Sequence, residues 1–334
     1  MRDYPQRLRF GESDMTRERA AAWLKPLYEE RYSGAMRFET SRPAIHAVIA
    51  ETIAPMLRGA RVLDVGGGAG RLASICARAG ATVTLLDFSE RAMSLARTTA
   101  TATETDERIV FVVGEAEQMT YGRYDIIVLS EVIEHLANPV NTLSQLSRLL
   151  EPNGVFVISC PSFVNFRGYM WLLLQEAFGL LMSPSDVRQV LPRNMIEFAA
   201  GAGLRITHEA GLLHDWAWTE DSVTDMSRRI RLAVRDKCAE AEAWRHIDVD
   251  FDKLDHYLVS QIEYHREMLE HMADTHVLHL THDWSIPISA AAAAVMDPTL
   301  VRDLAQYLTV RPAAYTTQRP FSRMGATSVY LLSR

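Results

Sequence analysis

Between Gly59 and Ser159, short apolar runs rich in β-branched residues alternate with stretches whose apolar positions recur every three or four residues. A parallel sheet with helices on both faces produces that alternation. The strand candidates are 61–65, 82–86, 109–113, 125–129 and 155–159. After the first of these, Leu72, Ile75, Cys76 and Ala79 share one helical face, and Gly80 supplies the stop. Asn138 and Pro139 give a later helix its cap and first position, and Leu143, Leu146 and Leu150 form its buried stripe. Glu151-Pro-Asn-Gly154 reads as a turn into the fifth strand.

The flanks read differently. Residues 14–57 look helical, with Ile45, Val48, Ile49 and Ile53 on one face, so 1–58 forms a helical lead-in and not a separate domain. Downstream, 192–202 reads as a helix closed by Gly203, followed by a strand at 204–208, and 327–332 is the last strand. Between those two strands the periodicity is almost wholly helical: Val223, Met226, Ile230 and Val234 make one stripe, and Leu254, Leu258, Ile262, His265, Leu269 and Met272 another. The expectation is therefore a Rossmann-like, doubly wound, mostly parallel seven-stranded sheet with an antiparallel last strand. Residues 59–215 carry it, 216–322 form a helical cap inserted before the last strand, and 323–334 complete the sheet.

The richest chemistry sits at the end of the first strand, where Val62-Leu-Asp-Val-Gly-Gly-Gly-Ala-Gly70 runs into a helix. Glycines there let main chain approach a ligand closely. Gly66, Gly68 and Gly70 give GxGxG, and Arg71 stands where a dinucleotide fold would want its third glycine. Asp87, followed by Phe88, closes the second strand about twenty residues on, the position from which an acid hydrogen-bonds ribose hydroxyls. Gly114-Glu-Ala-Glu117 follows the third strand, and Ser130 and Glu131 follow the fourth within Asp125-Ile-Ile-Val-Leu-Ser-Glu-Val-Ile-Glu-His135. An acid closing a strand is commonly only a helix cap and a glycine run only a turn, but four such segments in this order at these separations are specific.

Together they resemble the class I S-adenosylmethionine-dependent methyltransferases, nearest in motif to the ubiquinone-biosynthesis O-methyltransferases, over roughly residues 45–210 plus the last strand. The resemblance implies S-adenosyl-L-methionine as cofactor, held by Asp64, Gly66, Gly67, Gly68, Gly70, Asp87, Phe88, Glu115, Ala116, Ser130 and Glu131. Glu115 stands where the family more often has aspartate, and Asp64 braces the turn. The expected reaction is methyl transfer to a small or medium organic acceptor, on oxygen by preference. Alignment of acceptor with methyl supplies most of the rate in such a displacement, and a base is needed only to take the acceptor's proton. Candidate bases are His135, at the carboxyl edge of the sheet, with His208 and His214 farther on.

Glu131, Glu134 and His135 also resemble the acid and histidine cluster of small-RNA 2′-O-methyltransferases, whose carboxylates and histidine help hold a divalent metal. Those enzymes add a second histidine before the helix preceding the sixth strand, and here that stretch, Ser183-Pro-Ser-Asp-Val-Arg-Gln189, contains none. Asp186 is an oxygen ligand that could substitute, but no metal site is expected. His271, His276, His279 and His282 with Asp283 read as a packed or solvated helix. Alternatives to a small acceptor are an RNA or other macromolecule methylated through the acid and histidine cluster, and a non-catalytic partner that keeps the fold and dimerises through the insertion.

Composition narrows these classes. A formal net charge of -7 over 334 residues disfavours a polyanionic partner, so no nucleic acid is expected. Three scattered cysteines and an N-terminus with charges where a signal peptide needs an apolar run point to a cytoplasmic protein with reduced thiols, without a membrane segment. The apolar segment containing Phe163, Phe166, Tyr169, Met170, Trp171, Leu172, Leu173, Leu174 and Phe178 lines either an acceptor pocket or a packed core, and the insertion is the candidate surface for a homodimer.

Overall fold

The computed structural model describes residues 16–33, 43–163, 166–178, 182–183, 185–213, 227–232, 234–235, 250–260, 263, 315–317 and 327–334. Its centre is one eight-stranded sheet made of β1 (Arg61–Val65), β2 (Thr82–Asp87), β3 (Ile109–Val113), β4 (Tyr124–Ser130), β5 (Leu150–Pro161), β6 (Arg205–Leu213), β7 (Tyr315–Thr317) and β8 (Thr327–Ser333), in the spatial order β3-β2-β1-β4-β5-β8-β6-β7. The first five strands are mutually parallel, and β8 is antiparallel to both neighbours, β5 and β6. The expected seven-stranded arrangement is thus present, with the three-residue β7 added antiparallel to β6 at the edge.

Strands β1, β2, β4 and β5 bury both faces, so their side chains alternate between two cores, while the edge strand β3 leaves Val110 and Val113 exposed. Val62, Ile126 and Val128 join α2 (Pro43–Leu57), α3 (Arg71–Arg78) and α4 (Glu90–Ala102) on one side. Leu63, Ile127 and Leu129 join α5 (Pro139–Ser147) and α7 (Pro192–Gly201) on the other. Ile45, Ile49 and Ile53 are at most 1% exposed, so the apolar face expected upstream packs on the sheet. The lead-in is two helices, however, since α1 (Arg17–Tyr32) is separate from α2 and buries only Ala20 and Leu24.

Local chemistry sets the element ends. Asn138 accepts from the Asn141 N–H at 3.0 Å to cap α5, and Ser89 caps α4 through the Ala92 N–H at 3.1 Å. Leu150 belongs to β5 and not to the α5 stripe, because α5 stops at Ser147. The expected turn at 151–154 is instead a bulge within β5: Tyr124 pairs with Leu150 and Ile126 with Val155, so β5 carries extra residues opposite a short step of β4. In the expected helical insertion, residues 227–232 and 251–260 are helical, with Ile230 and Leu258 buried; Val223, Met226, Ile262, His265, Leu269 and Met272 lie outside the described residues.

One feature of this topology places the site. From β1 the chain moves outward through β2 and β3, then returns to add β4 on the other side of β1. Open α/β sheets bind ligands beyond the strand carboxyl ends at such a reversal.

Candidate active site

The chain turns as soon as β1 ends, with the Gly66 N–H donating to the Leu86 carbonyl at 2.7 Å. Gly66, Gly68 and Gly70 have φ of 67°, 54° and 77°, backbone that side chains other than glycine adopt at a cost. Space forbids a side chain as well. A Cβ on Gly66 would lie 2.6 Å from Val132, on Gly67 2.8 Å from the Asp64 Oδ2, on Gly68 2.6 Å from the Tyr32 hydroxyl, and on Gly70 2.9 Å from Ala96. Gly66 nevertheless remains exposed and Gly67 half-buried, so their main chain is open to a ligand.

Two buried carboxylates flank this turn. Asp87, 6% exposed, accepts from the Gly68 N–H at 3.0 Å and the Ser89 N–H at 2.8 Å. Burial raises its carboxyl to about 6 against those two donors. Asp64, 2% exposed, is pushed up to about 7 by burial and by the Asp87 charge, and its Oδ2 has no hydrogen-bond partner among the described residues. Such an oxygen is costly unless something else satisfies it. Phe88 and Ala116 are half-buried beside the cleft, and Glu115 is ion-paired to Arg17 at 2.7 Å.

At the tip of β4 the Ser130 hydroxyl lies 3.3 Å from that of Ser159. Glu131 is held at φ 56° because its N–H donates to the Ser159 carbonyl at 3.0 Å while the Ser159 hydroxyl donates to its Oε1 at 3.1 Å. His135 then emerges from the one-turn 3-10 helix at Ile133–His135. Its Nδ1 lies 2.7 Å from the Ser185 carbonyl, which can only accept, so Nδ1 carries the proton and Nε2 the lone pair. Burial lowers His135 to about 3, so the ring is neutral, yet 14% of its side chain stays accessible. Glu134 Oε1 lies 3.8 Å from Nε2, and Asp186 Oδ1 lies 3.7 Å from Nδ1. Main-chain N–H groups of Val187 and Arg188 donate to the Glu134 carbonyl at 3.0 and 3.2 Å, pinning the segment that brings Asp186 here.

Glu134, His135 and Asp186 each offer a ligand atom within 4.8 Å of the others, a donor set where none was expected. Glu131 is turned instead toward Ser159. His208 is not brought to this group: it is an exposed residue in the middle of β6, paired with Leu331 and below the carboxyl edge. His214, His271, His276, His279, His282 and Asp283 lie outside the described residues.

The sequence marks α1 as part of a helical lead-in but does not show that it lies over the site. Its Tyr28 ring meets Phe88 and His135 at centroid distances of 5.4 and 5.8 Å, Tyr32 covers Gly68, Arg17 reaches Glu115, and the Glu29 carbonyl accepts from Arg91 at 3.0 Å. The helix thereby crosses the loops after β1, β2, β3 and β4. Its one available signal was Tyr28 and Tyr32 four residues apart on one face.

A sheet reversed at β1, a glycine turn and two carboxylates at its mouth are the frame on which residues 36–220 match the family model described as a methyltransferase domain. The chain belongs to that family. It is 30% identical over 166 residues to a ubiquinone biosynthesis O-methyltransferase of Aromatoleum aromaticum, spanning 48% of this chain and 70% of that protein. The corresponding protein of Dechloromonas aromatica is 31% identical over 165 residues, with 48% and 70% covered. Among solved structures it is similar to a SAM-dependent methyltransferase from Thiobacillus denitrificans in complex with S-adenosyl-L-homocysteine, at 14% identity, TM-score 0.46, and coverage of 92% of this chain and 97% of that one.

Proposed function

We propose that this methyltransferase draws on S-adenosyl-L-methionine and methylates a hydroxyl oxygen of a small or medium organic acceptor, with His135 receiving the hydroxyl proton. The observation that carries this reading is the neutral His135, its Nδ1 proton tied to Ser185 and its Nε2 left to accept, beside the glycine turn. The donor fits the residues present. The main chain of Gly66 and Gly67 offers a surface without side chains, Asp87 keeps lone pairs beyond the two it uses, and the unpartnered Asp64 oxygen lies at the same turn. When bound, the donor supplies an electrophilic methyl group.

The acceptor's side is supported by α6 (Phe166–Phe178), which follows β5. Trp171 and Gln175 are 1% and 5% exposed, and the indole N–H and both amide atoms lack partners among the described residues. We assign these polar groups to the acceptor's side, where oxygen substituents of an apolar acceptor would pair with them. We assign the cap role to the stretch expected at 216–322 apart from Tyr315–Thr317, which forms β7 of the sheet. Incubation with methyl-labelled donor and matched panels of phenols, amines and RNA tests the reading. Label on hydroxyl compounds is expected; label confined to amines or RNA overturns it.

Asp87 sets a pH dependence. It holds ribose hydroxyls as a carboxylate, and its folded value is about 6, so donor affinity should fall as pH drops through that value. The dissociation constant of S-adenosylhomocysteine by calorimetry should be flat above neutrality and rise up to roughly tenfold for each pH unit well below 6.

The cluster of Glu134, His135 and Asp186 favours a second reading in which these residues hold a divalent cation that binds acceptor oxygens. One imidazole nitrogen and two carboxylates suit such an ion. Titration with magnesium or zinc should then show a site weakened at least roughly tenfold by Asp186→Asn, since even residues supporting a ligand cost that much. Equal binding by the variant removes this reading and leaves His135 as base.

A further inference from the structure

The nucleoside half and the acceptor half of the cleft meet at one ring. Tyr28 lies 5.4 Å from Phe88 at an interplanar angle of 87°, and Phe88 directly follows Asp87. The same ring lies 5.8 Å from His135 at 73°. Its hydroxyl is tied to the side chain of Ser185, the residue whose carbonyl holds His135. Tyr32, at 6.2 Å from Tyr28, continues the wall over Gly68. Both tyrosines are half-buried although α1 buries little of itself, as expected of side chains that line a cleft and are not packed in a core.

A methyl group on its way from nucleoside to acceptor has to lie between those two halves, and the Tyr28 ring touches both. We propose that Tyr28 is a donor-recognition residue whose ring faces the sulfonium centre and favours the cationic donor over its neutral demethylated product. The inference rests on the S-adenosylmethionine reading above. An aromatic face attracts a cation through its quadrupole and a thioether far less, so the contact strengthens donor binding and relaxes once the methyl has left. Arg31 already lies over the ring, its guanidinium carbon 5.2 Å from the centroid, so the sulfonium would use the opposite face and compete with it.

The ratio of S-adenosylmethionine to S-adenosylhomocysteine affinity, measured by calorimetry on the full chain, isolates this effect, because both ligands share every other group. Tyr28→Leu should reduce the preference for the cation by roughly five- to tenfold, and Tyr28→Phe should retain most of it. Should Tyr28→Leu fail to fold, phenylalanines bearing one, two and three ring fluorines at position 28 decide the matter: the ratio should fall stepwise while S-adenosylhomocysteine affinity stays level. Arg31→Gln should raise the ratio by removing the competing charge. A ratio constant along the fluorinated series overturns the inference while leaving the donor reading intact. Wild-type protein that binds neither ligand overturns that reading and takes this inference with it.

Discussion

Asp87→Ala should all but abolish donor binding, with the affinity for S-adenosylhomocysteine falling roughly 100-fold or more. Asp87 sits at the carboxyl end of β2, where burial has already removed its water and two main-chain donors fix its orientation. A ribose presents two hydroxyls to such a group, and each hydrogen bond to a charged acceptor contributes about 1.5–3 kcal/mol. Two bonds at the lower end already give roughly a hundredfold, since about 1.4 kcal/mol is a factor of ten. The alanine variant also strands the Gly68 and Ser89 N–H groups, and each costs about 1–3 kcal/mol if water cannot reach it. Asp87→Asn separates the effects: it keeps an oxygen for one of those donors and should melt closer to wild type, yet still lose most of the affinity. Wild-type titration curves for both variants would place the nucleoside elsewhere on the sheet.

Whether a feature of this molecule was readable from its sequence depended on how far away its cause lies. The runs at 61–65 and 109–113 match β1 and β3 residue for residue: β1 is buried along all but its first residue, and β3, although an edge strand with Val110 and Val113 exposed, is an unbroken run of β-branched and aromatic residues. The glycine turn and Asp87 were equally legible, since both belong to one strand-turn-helix unit and its neighbour. The surroundings of His135 were not. Its tautomer is decided by Ser185, fifty positions on, in a stretch with no periodicity, and Asp186 arrives with it. Tyr28 and Tyr32 stand on a helix of mostly charged and small residues, and their partners Phe88, His135 and Gly68 belong to three different loops. Nothing local distinguishes such a helix from a solvated one. The three residues of β7 are too few to carry a period, and Leu150 fitted a helical stripe only because α5 happens to end three residues before it.

His135→Gln should lower the turnover number by roughly 100- to 10,000-fold while leaving the affinity for S-adenosylhomocysteine within a factor of about three. A base lowered to about 3 looks weak for this task, but the proton it must take is not that of a resting hydroxyl. As the new carbon–oxygen bond forms, positive charge develops on the acceptor oxygen and its proton becomes strongly acidic, so even a weakly basic imidazole captures it late in the step. The surroundings then favour the product of that transfer: Glu134 and Asp186 lie 3.8 and 3.7 Å from the two ring nitrogens, where an imidazolium gains what a neutral ring does not. Glutamine cannot take the proton but can still accept a hydrogen bond through its side-chain oxygen, so acceptor binding should survive and the loss should fall on turnover and not on the Michaelis constant. Phenols of graded acidity provide the decisive measurement. Acceptors that ionise by themselves need no base, so the deficit of His135→Gln should shrink steadily as the acceptor becomes more acidic. A deficit independent of acceptor acidity would mean that His135 only shapes the turn after β4, and the proton leaves by another route.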